Sequence, residues 1–433
     1  MMLANPKQAD LIQLFVAKKY RNTMSFSTKT AYENNVKRFY KFLHEDKELN
    51  ISKIIELLEQ KKLDPITLLD DFFTHLRNSS YGKNQKPYSN SAIRAYLTTA
   101  KEFLRFLGFK IYNEDVKQVF KLPPKQENSE PGLETNTIIR ILRNSPPRLQ
   151  VAVLICCASG IRDGELVQLK VGDIDFNSNP VTVNLRAEIV KGKIHPRKTH
   201  LTTEAANALK DYLSRNKIDF ANSNHQEKYL FLTLPGERLD YYKRIIDELE
   251  SKSKRNSGDQ RIFMTAKTLY AHKITQLENQ LRTMTKQEQY DRSVRSAKHA
   301  LISMLVRAVD SIPDLAKRHE NNLRDIHFHS FRYFFKTTIT DNLNSDFAEA
   351  LMGHISLKLT YYKKNDEQRR MSYAKVEQYL TISDTERIRF ENEQLHGKIL
   401  DAQVMQDEIE RLRQSNNYVL EQLKELKSHS STN

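Results

Sequence analysis

The sequence predicts a mainly α-helical protein that adds one small β-hairpin or sheet in its second half, an α+β arrangement, and three observations carry that expectation. Apolar residues recur at three- and four-residue spacing along most of the chain. One stretch near residue 183 changes to period two. The run "KLPPKQENSEPGLETN" at 121–136, with three prolines and a glycine, separates two units. At 433 residues the chain is long enough for two cores.

In the first unit, residues 1–122, "TKTAYENNVKRFYKFLHED" sets Tyr32, Val36, Phe39, Tyr40 and Leu43 on one helical face, with Thr28 as the N-cap. "SNSAIRAYLTTAKEFLRFLGF" repeats the pattern, with Ser89 or Ser91 as cap and Ile93, Tyr96, Leu97, Ala100, Phe103, Leu104 and Phe106 as the apolar face. The Lys, Arg and Asn residues between these faces read singly as solvated helix backs and as a set favour phosphate contact. Residues 123–134 form the linker, and a second unit, 135–382, opens with the amphipathic helix "TNTIIRILRNS".

In "PVTVNLRAEIVKGKIHPRKTHLT", Val181, Val183 and Leu185 alternate with Thr182, Asn184 and Arg186, and Gly192 marks a turn. This predicts a hairpin whose tip and second arm carry Lys191, Lys193, Arg197 and Lys198. Residues 236–322 are basic and helix-favouring, and read as helices that form, at least in part, an insertion. From Thr385 onward, Ile388, Leu395, Ala402, Ile409, Asn416 and Leu423 fall on one heptad seam, and Met405, Leu412, Val419 and Leu426 on the other. Glu391 and Lys398 weaken its first half, so a coiled coil over 383–433 is expected mainly from Ala402, with Asn416 setting register. The alternative is a single helix folded back on the body.

A net charge of +15 calls for a polyanionic partner, either nucleic acid or an acidic membrane surface. No apolar run approaches the ~20 residues of a spanning helix, and "MMLANPKQADLIQLF" lacks the features of a signal peptide, so no membrane role is expected. The only cysteines, Cys156 and Cys157, are adjacent, which disfavours a structural disulfide and fits a reducing cytosol. No Gly-rich phosphate loop occurs, so ATP is not expected. His195 and His200 lack metal-ligand spacing, and His327 is expected across a helix from His329. Neither a metal nor a cofactor is expected.

Four segments each supply a polar residue in an awkward setting. "ASGIRDGELVQLKVGDID" offers Arg162 at the start of a helix expected to run through Leu166 and Leu169. "EIVKGK" offers Lys191. "HFHSFRYFF" offers His329 and Arg332, which share a helix face at i and i+3 and raise the question of why a guanidinium stands in an aromatic run. "LMGHISLKLTYYKK" offers His354, then Tyr361 and Tyr362. Singly, each has an ordinary explanation as ion pair, solvated cation or packing residue.

Together, "GIRDGEL", "VKGK", "HSFR", "LMGH" and "TYYK" resemble, in order, the motifs of the tyrosine recombinase (phage/archaeal-type integrase) family. The resemblance spans residues 10–382. It implies a helical, SAM-like core-binding domain and a catalytic domain that close on double-stranded DNA as a C-shaped clamp. It also implies a homotetramer on two DNA sites, a 3′-phosphotyrosyl intermediate and a Holliday junction, in a cytoplasmic, nucleoid-associated enzyme of a mobile genetic element.

The chemistry suits these residue types. A pentacoordinate phosphorus accumulates charge on its non-bridging oxygens, which paired N–H groups of Arg162 and Arg332 can neutralise. His329 and His354 can add hydrogen bonds or assist proton transfer, Lys191 can protonate the leaving 5′ oxygen, and a tyrosyl phosphoester stores the bond energy for rejoining. By resemblance, Glu165 supports Arg162.

Two points depart from the family pattern. Tyr361 and Tyr362 lie seven and eight residues beyond His354, where most relatives have eight or nine; spacing favours Tyr362, local context Tyr361, and both stand as candidates. Lys193 competes with Lys191 on the same strand face, the "AEIVK" context favouring Lys191. The rival functions are a type IB topoisomerase-like relaxing enzyme and a DNA-binding or architectural protein that has lost catalysis.

Overall fold

The computed structural model describes residues 6–23, 26–81, 85–124, 132–190, 195–255, 260–316, 324–353 and 364–383, together with 385, 405 and 406. The chain divides into two compact units, Met1–Glu130 and Pro131–Asn433.

The first unit is a helical bundle of α1 (Pro6–Thr23), α2 (Phe26–Glu45), α3 (Ile51–Glu59), α4 (Pro65–Asn78), α5 (Asn90–Phe106) and α6 (Asn113–Val119), with a short ribbon of β1 (Ser80–Tyr81) and β2 (Lys86–Pro87). Its core is aromatic: Phe15, Phe39, Phe42, Phe72 and Phe103 are all buried. Local chemistry sets the helix starts. The side chains of Asn50, Asp64 and Ser89 accept from backbone N–H groups of the first turns, and Pro65 occupies the first position of α4. Of the two serines available to cap α5, Ser89 does so. The expected cap at Thr28 is corrected: α2 begins at Phe26, and Thr28 lies in its first turn, where backbone N–H groups still lack intrahelical acceptors. Tyr32 donates to Glu102 at 2.9 Å and so ties α2 to α5.

The second unit is helical around a three-stranded antiparallel sheet. It contains α7 (Thr135–Arg143), α8 (Pro147–Ser159), the one-turn α9 (Asp163–Leu166), β3 (Ile174–Asp175), β4 (Thr182–Leu185), β5 (Arg197–His200) and α10 (Thr203–Arg215). There follow α11 (Pro235–Arg255), α12 (Gln260–Thr283), α13 (Lys286–Asp310), α14 (Phe328–Asn342), α15 (Ser345–Met352) and α16 (Asp366–Leu380). The mainly α fold with a small sheet is the one expected. Helix α8 is the central element, buried along nearly its whole length, and both its cysteines are free and enclosed. Burial pushes both thiols up, so neither is a reactive thiolate.

Sheet order is β3-β4-β5, with Leu185 opposite Arg197 and Thr182 opposite His200. Strand β4 stops at Leu185 because the next residue, Arg186, turns aside: its guanidinium bonds Asp173 at 2.9 Å and the carbonyl of Gln168 at 2.9 Å. The chain then runs in turns through Val190, and residues 191–194, including Lys191, Gly192 and Lys193, lie outside the described residues.

Within the stretch read as a basic helical insertion, α13 sends Leu301, Leu305, Ala308 and Val309 into the main core. Helices α11 and α12 pair with each other, with Tyr242 and Tyr270 stacked at 5.1 Å. Almost all of the expected coiled coil, 383–433, lies outside the described residues. No described helix is long and apolar enough to cross a membrane.

His200 closes β5 in a buried position, its Nδ1 3.2 Å from Thr182 Oγ1 and its ring 5.2 Å from that of Tyr373 on α16. Burial first, then the nearby Arg370, Arg369 and Lys198, push its pKa down from 6.5 to about 4, against the opposing pull of Asp366. The neutral ring is the one the fold accepts. Its contribution of up to about 3 kcal/mol is therefore fully present above pH 6.5 and is lost as pH falls towards 4. Urea midpoints should drop across that window, and a His200→Gln variant should show a shallower drop over the same pH steps.

Candidate active site

Helix α8 ends at Gly160, whose φ of +60° is left-handed backbone that suits glycine. A Cβ there would also lie 2.3 Å from Cδ1 of Phe335, so the close approach of α8 and α14 depends on glycine twice over. Two residues later Arg162 is the N-cap of α9. The expected helix through Leu169 is shorter than predicted. It stops at Leu166, and tight turns from Glu165 to Gln168 and from Leu166 to Leu169 replace it.

That single turn creates the key contact. Glu165 is 2 % exposed, and its carboxylate accepts from the backbone N–H of Arg162 at 2.9 Å and from the Arg162 guanidinium at 3.0 Å. A second guanidinium, Arg197 at the start of β5, pairs with the same carboxylate and also donates to the carbonyl of Leu351 near the end of α15 at 2.5 Å.

Arg332 stands on α14 among Phe331, Phe334 and Phe335 and is 1 % exposed. Its guanidinium donates to the carbonyl of Gly160 and, at 3.0 Å, to that of Met352. These carbonyls lie at the C-terminal ends of α8 and α15, where helix dipoles concentrate negative potential. The arginine in the aromatic run is thus held by two helix ends. His329, one turn earlier, is exposed at its residue surface, with its ring edge-on to Tyr333 at 4.7 Å. His327 is the N-cap of α14, its Nδ1 accepting from the N–H of Ser330 at 3.1 Å.

Two guanidiniums, Arg162 and Arg197, share one buried carboxylate, and the charge of a third, Arg332, acts on the same group. Burial, followed by the repulsion of Arg162 and Arg197, pushes the pKa of Arg332 down to about 9. Arg197 is lowered in the same sense, by burial first. The imidazole of His329 is also lowered, by partial enclosure and then by Arg332, His327 and Arg162. A bound anion would relieve each of these strains, because it supplies the negative charge the cluster lacks. Among the described residues, no group of His, Cys, Asp or Glu is arranged to hold a metal ion.

Of the candidate residues, the fold brings Arg162, His329 and Arg332 into one neighbourhood. Lys191, His354, Tyr361 and Tyr362 fall outside the described residues. Sequence reasoning assigned Arg197 to a cationic hairpin arm and missed its part in the cluster. The available signal was strand alternation: Arg197 shares period-two spacing with Thr199 and Leu201, both fully enclosed.

The phage integrase family matches residues 132–274, a span that takes in Arg162, Lys191 and Arg197 and ends before His329. The match places this segment of the second unit among phage-integrase-like sequences. Among solved structures, the chain is similar to the XerA recombinase, at 18 % identity over 84 % of this chain and 97 % of that one, with a TM-score of 0.28. It is similar to the XerH site-specific recombinase bound to its difH substrate in a pre-cleavage complex, at 16 % identity over 85 % and 84 %, with a TM-score of 0.42. A third similarity is to the Tn1549 transposon integrase in complex with circular intermediate DNA, at 14 % identity over 83 % and 97 %, with a TM-score of 0.35. With these TM-scores below 0.5, the three likenesses carry no weight of their own. No curated protein matches the sequence.

Removing the shared counter-charge should be costly. Glu165→Gln leaves Arg162 and Arg197 facing each other in a dry setting, and a loss of about 3 kcal/mol is expected from breaking such a pair. Urea denaturation of the variant would measure it. Sulfate should stabilise the variant more than the parent protein and so shrink the deficit, because the ion can occupy the cationic cluster.

Proposed function

We propose that the protein is a site-specific DNA recombinase or integrase that breaks and rejoins double-stranded DNA through a 3′-phosphotyrosyl intermediate, drawing on neither metal nor ATP. The observation that carries the proposal is the excess of buried guanidinium charge around Glu165, within a domain of the phage integrase family. A scissile phosphate is the anion that such a cluster fits, and the pentacoordinate state, with its greater charge, fits it better.

In this scheme Tyr361 or Tyr362 attacks phosphorus through its phenolic oxygen. The bond to the 5′ oxygen breaks, and the bond from phosphorus to tyrosine forms. Lys191 gives the departing 5′ oxygen its proton, while Arg162 and Arg332 neutralise the non-bridging oxygens. His354 and the neutral His329 serve as hydrogen-bonding groups or take the phenolic proton. Attack by a 5′ hydroxyl from another strand reverses the steps and restores the phosphodiester. The bond energy is held throughout in the phosphotyrosyl ester. Four protomers on two DNA sites would perform two such exchanges through a Holliday junction. The basic helical first unit grips the duplex, and the heptad-patterned tail supports assembly.

The test is a trap with nicked duplexes tiled across the DNA flanking the protein's own gene, incubated without metal or nucleotide. A covalent adduct should form and map to the peptide holding Tyr361 and Tyr362. One of Tyr361→Phe and Tyr362→Phe should abolish it and the other should leave it. No adduct on a duplex the protein demonstrably binds would leave a non-catalytic DNA-binding protein as the better description.

The lowered pKa of His329 gives a second expectation. The imidazole is neutral at pH 7 and stays neutral below its ordinary 6.5. At subsaturating DNA, where the cleavage rate reports the free protein, its acid limb should therefore lie below pH 6.5, and His329→Gln should remove the part of that limb that His329 causes.

A further inference from the structure

In the sequence, Lys191 falls between two anchored arginines. On the β4 side, Arg186 is bonded to Asp173 and to the carbonyl of Gln168. On the β5 side, Arg197 faces Leu185 in the ladder and reaches away from the sheet to two separate acceptors. One is Glu165, the carboxylate that orients Arg162; the other is the carbonyl of Leu351. Leu351 lies in the last turn of α15, two residues before Gly353, and the chain continues from there to His354, Tyr361 and Tyr362.

The route of this side chain shapes its surroundings. Gly353 has a φ of +69°, and a Cβ at that position would lie 2.4 Å from Cδ of Arg197 and 2.8 Å from its Nε. The glycine thus serves both to end α15 in a left-handed conformation and to let the Arg197 stem pass against the backbone. The Arg197 side chain is 7 % exposed, so it is not placed to act as one more surface phosphate contact.

We infer that Arg197 is a positioning residue of the recombination site. Its guanidinium ties strand β5 to the Arg162 turn and to the helix end from which the tyrosine-bearing segment departs. The inference rests on the function proposed above. Only a planar fork suits the task, because two acceptors on different elements must be met at once by nitrogens held in fixed relation. A lysine keeps the charge beside Glu165 but offers one nitrogen at the end of a flexible stem.

Two variants approach the tie from opposite sides. Arg197→Lys preserves the charge and removes the fork. Gly353→Ala preserves Arg197 and pushes its stem aside. Each should be measured on the nicked duplex from which the parent protein forms its adduct, at saturating DNA, recording rate constant, adduct amplitude, DNA affinity and melting temperature. Both variants should slow adduct formation by about 10- to 100-fold. DNA affinity should stay within about threefold and amplitude should be retained, since displaced catalytic groups change the rate and not the fraction of folded enzyme. A merely structural ion pair would instead lower amplitude and melting temperature together and leave the surviving molecules at the parent rate. That result, or Arg197→Lys cleaving at the parent rate, would overturn the inference while leaving the recombinase function intact. If the parent protein forms no adduct on any duplex of the tiling, the function falls and the inference falls with it.

Discussion

The buried carboxylate of Glu165 is the contact on which the rest of the site depends. It is nearly dry, and its two oxygens meet the backbone and side chain of Arg162 and the fork of Arg197. A lone carboxylate in such a place would be costly, and so would either guanidinium; together they tolerate burial because each satisfies the other. The pairing joins three elements distant in sequence: the turn after α8, the strand β5 and, through Arg197, the end of α15. Remove the carboxylate and these three lose their common point.

The same economy appears at Arg332. Two helices end in left-handed glycines, Gly160 and Gly353, and each presents a carbonyl at its end to that guanidinium. Helix ends ordinarily find such partners in water or in a cap. Here the partner is a cation that the aromatic surroundings would otherwise exclude, so packing and charge fix the guanidinium together. The cluster remains over-positive, with Arg332 pushed down to about 9. It is better suited to an anion-bound state than to an empty one, which is the electrostatic form of preorganisation.

The first unit and the α11–α12 pair follow simpler rules. In the bundle, aromatic faces at helical spacing pack on one another and polar caps mark the starts. In α11–α12, each helix covers the other, while α13 returns to the main core through its leucines. Nothing in the basic composition of that long stretch separates these two behaviours. Charge density reports where solvent can be, and α13 buries one apolar stripe behind a charged back as readily as an isolated pair does.

The sequence by itself determined the helical class and the strand at Thr182–Leu185, and it singled out Arg162, His329 and Arg332 as residues in unusual settings. Each follows from local rules of periodicity, turn chemistry or a charged residue among apolar neighbours. Other features were decided only by the tertiary structure. Helix α9 ends after one turn, Arg186 leaves the ladder for Asp173, and Arg197 turns inward to share Glu165 with Arg162. These depend on a partner that the local sequence does not contain. A buried charge is stable only where a distant carboxylate or helix end has been brought to it, and spacing along the chain carries no record of that meeting.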